Sequence, residues 1–118
     1  MPEPQPPSHP KIFLSHSWED KAFVRRLEAE LKAAGAEVWV DHSGVRAGDN
    51  LSKEISQALA WCNTVVLVWS QAAAGSHWVE LEWTAALALR KVIVPCRRDE
   101  TDLPPLLSNL LYIKEAWL

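Results

Sequence analysis

The sequence predicts an α/β domain with a mostly parallel sheet and helices on both of its faces. Short apolar runs rich in β-branched residues alternate with stretches of helical period. Alternation of this kind gives parallel strands joined by right-handed crossovers, which lay the helices over the sheet.

Lys11 to Ser15 is a short apolar run bounded by polar residues, as expected of a strand covered on both faces. Ser17, with Asp20 three positions later, has the form of a capping box. Phe23, Val24, Leu27, Leu31 and Ala34 then recur at helical spacing until Gly35 supplies the stop. Ala36 to Asp41 reads as the second strand. In the polar loop that follows, residues 42–50, Asp49 and Asn50 are placed to cap a helix carrying Leu51, Ile55, Leu59 and Cys62. Thr64 to Ser70 is a continuous β-branched run and hence a third strand. The alanines before Gly75 read as a small loop, ahead of a helix from about Trp78 to Arg90. Val92 to Cys96 gives a fourth strand, in which Pro95 marks an end or an edge. Pro104 and Pro105 fall in a loop before a short helical turn, and Leu110 to Ile113 is the last apolar stretch.

A chain of 118 residues that is 48% hydrophobic makes one domain, able to bury roughly two thirds of the surface its unfolded form exposes. Cys62 and Cys96 lie in or beside apolar runs without CxxC spacing, and read as small core residues in a reducing compartment. The net charge of −3, with no Lys/Arg cluster beyond a pair, argues against a nucleic-acid or polybasic membrane contact. No apolar run is long enough to span a bilayer. Residues 1–10 hold five prolines and no apolar run, and are expected to form a disordered leader rather than a signal peptide; a cytoplasmic location is expected from this and the cysteine usage.

In a parallel sheet of this kind ligands bind outside the carboxyl ends of the strands. The residues there are Ser15, His16 and Ser17 after the first strand, Asp41 and His42 after the second, and Ser70 after the third. A phosphate-cradling nucleotide site would need a glycine-rich turn after the first strand, where this chain has Ser-His-Ser-Trp. A phosphoacceptor site would need clustered acids, and only Asp41 would serve. His16, His42, His77, Cys62 and Cys96 show no ligand spacing, so no metal is expected.

The segment Ser76 to Glu82 remains. It opens a helix, and Trp78 and Glu82, four residues apart, face the same way while Glu80 points elsewhere. A ring that stacks on a flat base, beside an acid beneath a sugar, suits cleavage of an N-glycosidic bond. Spacing alone leaves a plainer alternative open: a carboxylate favoured by the helix macrodipole and a packed tryptophan.

Taken in order, the pieces Ile12-Phe13-Leu14-Ser15-His16-Ser17, Val38-Trp39-Val40-Asp41, the loop ending Arg46-Ala47-Gly48, Val65-Val66-Leu67-Val68-Trp69-Ser70, Ser76 through Glu82, and Val92-Ile93-Val94-Pro95 resemble the Toll/interleukin-1 receptor (TIR) domain family across residues 11–118. The resemblance implies a flavodoxin-like three-layer fold with a mostly parallel five-stranded sheet. Enzymatic members cleave NAD+ between nicotinamide and ribose, and by position the acid they use is Glu82. The resemblance further implies that Trp78 orients the ring and that Ser15, His16, Ser17, Trp18, Asp41 and Arg46 lie in the substrate site, with NAD+ as substrate and no cofactor. On local grounds Ser17 and Trp18 also read as a helix cap and its packed neighbour. Trp39, Trp61 and Trp69 read as core, whereas Trp83 and Trp117 fit either core or an assembly surface.

Two departures bear on function. Ala47 stands where receptor-type members carry a proline, which argues against receptor-style docking, and the usual last helix is missing before Leu118. The resemblance thus implies a bacterial-type NAD+ hydrolase, an immune or antiphage effector that self-associates through TIR–TIR contacts and works beside a sensor domain in a longer protein. The alternative is a non-catalytic TIR module that signals by assembly.

Overall fold

The computed structural model describes residues 9–40 and 53–118. In chain order it has β1 (Lys11–Ser15), α1 (Lys21–Ala33), β2 (Glu37–Val40), α2 (Lys53–Trp61), β3 (Thr64–Trp69), α3 (Gln71–Ala74), α4 (His77–Ala88), β4 (Val92–Arg97) and β5 (Ile113–Lys114). Single 3-10 turns lie at Trp18–Asp20, Pro105–Leu107 and Glu115–Trp117.

The five strands form one sheet in the order β2-β1-β3-β4-β5, with every pair parallel. This is the doubly wound α/β arrangement expected from the alternating pattern. The chain leaves β1 towards one edge and returns to build the other, so the point of reversal lies between β1 and β3.

Period-two alternation divides the strand side chains between two cores. Ile12 and Leu14 pack with Phe23, Val24 and Leu27 of α1 on one face, together with Val40, Val68 and Cys96. Phe13, Val65, Leu67 and Ile93 pack on the other face with Ile55, Ala58 and Leu59 of α2 and Val79, Trp83 and Ala86 of α4. Helix, sheet and helix therefore form three layers, and both cysteines are buried free thiols. Burial is the main cause raising each thiol pKa.

Several local expectations are revised. The alanine segment is a one-turn helix rather than a loop, because the Ser70 hydroxyl caps it by accepting from Ala73 N at 3.1 Å. Ser17 caps only the 3-10 turn, accepting from Glu19 N at 3.3 Å, and Asp20 makes no side-chain cap at the start of α1. The capping box is not formed because the Asp20 carboxylate is engaged elsewhere. Strand β5 is confined to Ile113 and Lys114, so Leu110 to Tyr112 stay outside the sheet.

Pro95 lies within β4, one strand in from the edge. Arg98 donates its N–H to Trp69 O at 2.8 Å, towards β3. By alternation, the N–H that Pro95 lacks would face the outer side. There β5 pairs only with Cys96 and Arg97, so the proline removes no bond from the central ladder. The loop at 42–50 and its capping residues fall outside the described residues.

Candidate functional site at the carboxyl rim of the sheet

Ser15 ends β1 at the point where the sheet order reverses. Its register partner on β3 is Leu67, which belongs to the core beneath α2 and α4, so the Ser15 side chain faces that helical layer. The facing residue is Glu82. The Ser15 hydroxyl donates to Glu82 Oε1 at 2.8 Å, in a fully buried contact that joins residues 67 apart in sequence.

Helix α4 carries Glu82 there because the buried positions Val79, Glu82, Trp83 and Ala86 recur at three- and four-residue intervals. Three of those positions hold core side chains and the fourth holds a carboxylate with 1% of its surface exposed. An ionised carboxylate in such a place costs several kcal/mol unless it is hydrogen-bonded. The helix begins at Ser76, whose hydroxyl accepts from Val79 N at 3.2 Å, which fixes where α4 starts and hence which residues face inward. Glu80, two positions before Glu82, is exposed.

Trp78 is half-buried and packs against the same core, with its indole N–H buried. His16 is half-buried at the rim next to Ser15. Ser17 is buried, and its hydroxyl serves the local turn. Trp18 is not core: it is 60% exposed, with Lys21 Nζ 4.0 Å from its ring centroid. Asp41 and Arg46 lie outside the described residues. Of the predicted site residues, then, the structure joins Ser15 directly to Glu82 and sets Trp78 one turn ahead of Glu82 on the same helix.

Sequence reasoning missed a second polar cluster on this rim. Asp20, 4% exposed, accepts from Ser70 Oγ at 2.7 Å and from Arg98 Nη1 at 2.9 Å. Arg98 also donates through Nε and Nη2 to Glu115 at 3.2 Å each. The Glu115 carboxylate, and after it Asp20, raise the Arg98 pKa further above its ordinary value, against the opposing effect of burial. A signal was present, since Ser70 ends a strand and Asp20 sits in the turn after another. Nothing local indicates that they meet.

The other tryptophans separate clearly. Trp69 and Trp83 are buried, and Trp39 stacks on Phe13 with centroids 5.1 Å apart. Trp61 is a surface residue rather than core, with Lys11 Nζ 6.0 Å from its ring. Trp117 is exposed and stacks on Tyr112.

A doubly wound sheet of order 2-1-3-4-5 with a buried carboxylate at its reversal point defines the class: an α/β domain of the kind in which the carboxyl rim is the candidate ligand site. The family model described as TIR domain matches residues 12–116, and the chain belongs to the TIR domain family. It is 44% identical over 73 residues to the NAD(+) hydrolase PdTIR of Paracoccus denitrificans, covering 61% of this chain and 23% of that protein. It is 34% identical over 97 residues to the 2' cyclic ADP-D-ribose synthase BtTIR of Bacteroides thetaiotaomicron, covering 78% and 34%. The chain thus spans about a quarter to a third of the length of these relatives.

Among solved structures, the TIR domain of the Toll-related receptor TRR-2 from Hydra magnipapillata aligns with a TM-score of 0.77 at 19% identity, covering 90% of this chain and 84% of that one. The TIR domains of the activated Roq1 resistosome align with a TM-score of 0.66 at 27% identity, covering 83% and 61%. No helix among the described residues is long and apolar enough to cross a membrane.

Proposed function

We propose that this TIR domain cleaves NAD+ at the bond between nicotinamide and ribose, with Glu82 as the catalytic carboxylate. The observation that carries this reading is the burial of Glu82 among the core-facing residues of α4, at the reversal point of the sheet. A position that packing alone would give to an apolar side chain holds a carboxylate instead. Two relatives bear names for chemistry on this bond, one a NAD(+) hydrolase and one a cyclic ADP-ribose synthase.

The chemistry asks little of the protein. Nicotinamide in NAD+ is already cationic, so the C1′–N bond breaks with its electron pair passing to the ring nitrogen, and nicotinamide leaves neutral without a proton donor. A glycosidase acting on an ether oxygen needs a second carboxyl group for that step. The Glu82 carboxylate stabilises the positive charge that develops on the ribose and holds its hydroxyls, an effect strengthened by exclusion of water. Water then adds at C1′ and releases a proton, giving ADP-ribose; capture by a nucleophile within the ADP-ribosyl group gives a cyclic isomer. Trp78 orients the nicotinamide ring by stacking, His16, Ser17 and Trp18 line the rest of the site, and Asp41 and Arg46 are assigned to substrate contact by their position in the family pattern alone.

The domain acts as the effector part of a longer cytoplasmic protein in immune or antiphage defence, and contacts between copies switch it on. Likeness to the TIR domains of a resistosome supports the assembly step. The test is nicotinamide release from NAD+, followed by chromatography at low and high protein concentration. Glu82→Gln is expected to lose at least about a hundredfold in rate, while Glu80→Gln retains activity and release per molecule rises with concentration. Equal loss in both variants, or silence even when the protein is forced to cluster, would favour the non-catalytic module instead.

A further inference from the structure

We propose that Ser15 is the positioning residue for Glu82, acting on the carboxylate rather than on the substrate. This rests on the reading of Glu82 as the acid of N-glycosidic cleavage.

Ser15 has no exposed surface, and its hydroxyl lies 2.8 Å from Glu82 Oε1. A serine hydroxyl has one proton to donate, and that of Ser15 is committed to Glu82. Ser15 reaches the reaction through the group it touches. The final torsion of a glutamate side chain has a broad, roughly two-fold preference, so the helix backbone alone does not fix the plane of the carboxylate. A short hydrogen bond from a rigid strand does.

The strand is well held at this point. Leu14 and Ser15 are in register with Val66 and Leu67 of β3, and Leu14 is also paired with Val40 of β2. The Ser15 hydroxyl is therefore a fixed donor at the carboxyl end of β1, between β2 and β3, and it aims one oxygen of Glu82 back towards β1. With that oxygen anchored, the orientation of the whole carboxylate is set before substrate arrives, which is the preorganisation that electrostatic stabilisation of a developing charge requires.

The experiment compares Ser15→Cys and Ser15→Ala with the unaltered protein. Cysteine keeps nearly the same shape but is a weak donor, and alanine removes the group altogether. Ser108→Ala, at an exposed hydroxyl bonded to Pro105 O, is the control. Two quantities are read: the ¹³C resonance of the Glu82 side-chain carboxyl, and kcat and KM for NAD+. Both Ser15 variants are expected to move the Glu82 resonance and to lower kcat roughly ten- to a hundredfold, with KM changed less than about twofold; the control moves neither.

An unmoved resonance in both variants overturns the proposal whatever the activity. So does a raised KM at unchanged kcat, which would make Ser15 a substrate contact, or a moved resonance with kcat intact. If the unaltered protein releases no nicotinamide in any state, the NAD+ reading fails by itself, and the resonance still decides whether Ser15 holds Glu82.

Discussion

Asp20 and Arg98, 78 residues apart, meet at 2.9 Å beneath the carboxyl rim, and the second oxygen of Asp20 accepts from Ser70 at 2.7 Å. One buried carboxylate thereby ties the turn after β1 to the ends of β3 and β4. Arg98 extends the tie to Glu115 in the C-terminal 3-10 turn and lies over the Phe23 ring of α1 at 4.6 Å. The rim that carries Ser15 and Glu82 is braced by this cluster.

Asp20→Ala is accordingly expected to destabilise the fold by about 2 kcal/mol, since it leaves the buried Ser70 hydroxyl and Nη1 of the half-buried Arg98 without their acceptor. The estimate stays below that for a fully buried pair because the Arg98 side chain retains 27% of its exposure. Urea unfolding of the variant beside Ser70→Ala checks it. The Ser70 change leaves the ion pair standing but removes both a donor to Asp20 and the cap of α3, so it should cost a similar amount, about 2 kcal/mol.

The same cluster marks where the sequence stops being legible. The strands and the three longer helices are readable because β-branched runs and three-to-four-residue periods are local signals, whereas the flavodoxin-like sheet is implied by family resemblance, since alternation alone also suits a closed barrel. Ser17 and Asp20 looked like a capping box because both residue types and the spacing fit. Asp20 instead faces partners 50 and 78 residues away, and local spacing carries no information about either. Glu82 was marked by its spacing from Trp78 and by family resemblance, but the hydroxyl that holds it belongs to a strand 67 residues earlier.

Asp99 gives the fold a defined acid sensitivity. Its carboxylate accepts from Gln71 N and Thr101 N at 2.9 Å each, and hydrogen bonding to Thr101, followed by the bond from Gln71 and the charge of Arg97, lowers its pKa below the ordinary 3.8. The folded chain therefore binds this proton at lower pH than the unfolded chain does. The stabilisation is complete above the unfolded value and is lost as pH falls through the lower folded one. Asp99→Asn should narrow the gap in urea midpoint between about pH 6 and about pH 3, and an unchanged gap would count against this role for Asp99.

Of the seven tryptophans, Trp83 and Trp117 fit either core or an assembly surface by sequence, and burial separates them. Trp83 lies in the inward stripe of α4 at 7% exposure, and Trp83→Ala is expected to cost about 3–5 kcal/mol. Trp117 is 65% exposed, and its stack on Tyr112 has centroids 6.5 Å apart, so Trp117→Ala should cost no more than about 1 kcal/mol. Against a stability of roughly 5–15 kcal/mol for a domain of this size, the first change threatens folding and the second does not. Thermal unfolding of the two variants is the measurement.

Helices α1 and α4 end in the same geometry with different residues at the critical position. After α1, Ala36 N bonds Leu31 O and Gly35 N bonds Lys32 O; after α4, Lys91 N bonds Ala86 O and Arg90 N bonds Leu87 O, each at 3.0 Å. Both are Schellman closures that require a left-handed residue, and the sequence supplies Gly35 at φ 100° in one and Arg90 at φ 57° in the other. Glycine announces the first stop; the second, read at about Arg90, carries no such marker, because an arginine there is held by the surrounding bonds rather than by its own preference. Gly35→Ala should therefore lose about 1 kcal/mol although a Cβ at that site would meet nothing within 4 Å, the cost being backbone strain alone. Arg90→Gly should gain a smaller amount, on the order of 0.5 kcal/mol, because relief of strain is offset by the wider freedom of glycine in the unfolded chain. Opposite shifts in urea midpoint would establish that the two helix ends obey one rule, and a loss of stability in Arg90→Gly would mean that the arginine side chain contributes more there than its backbone costs.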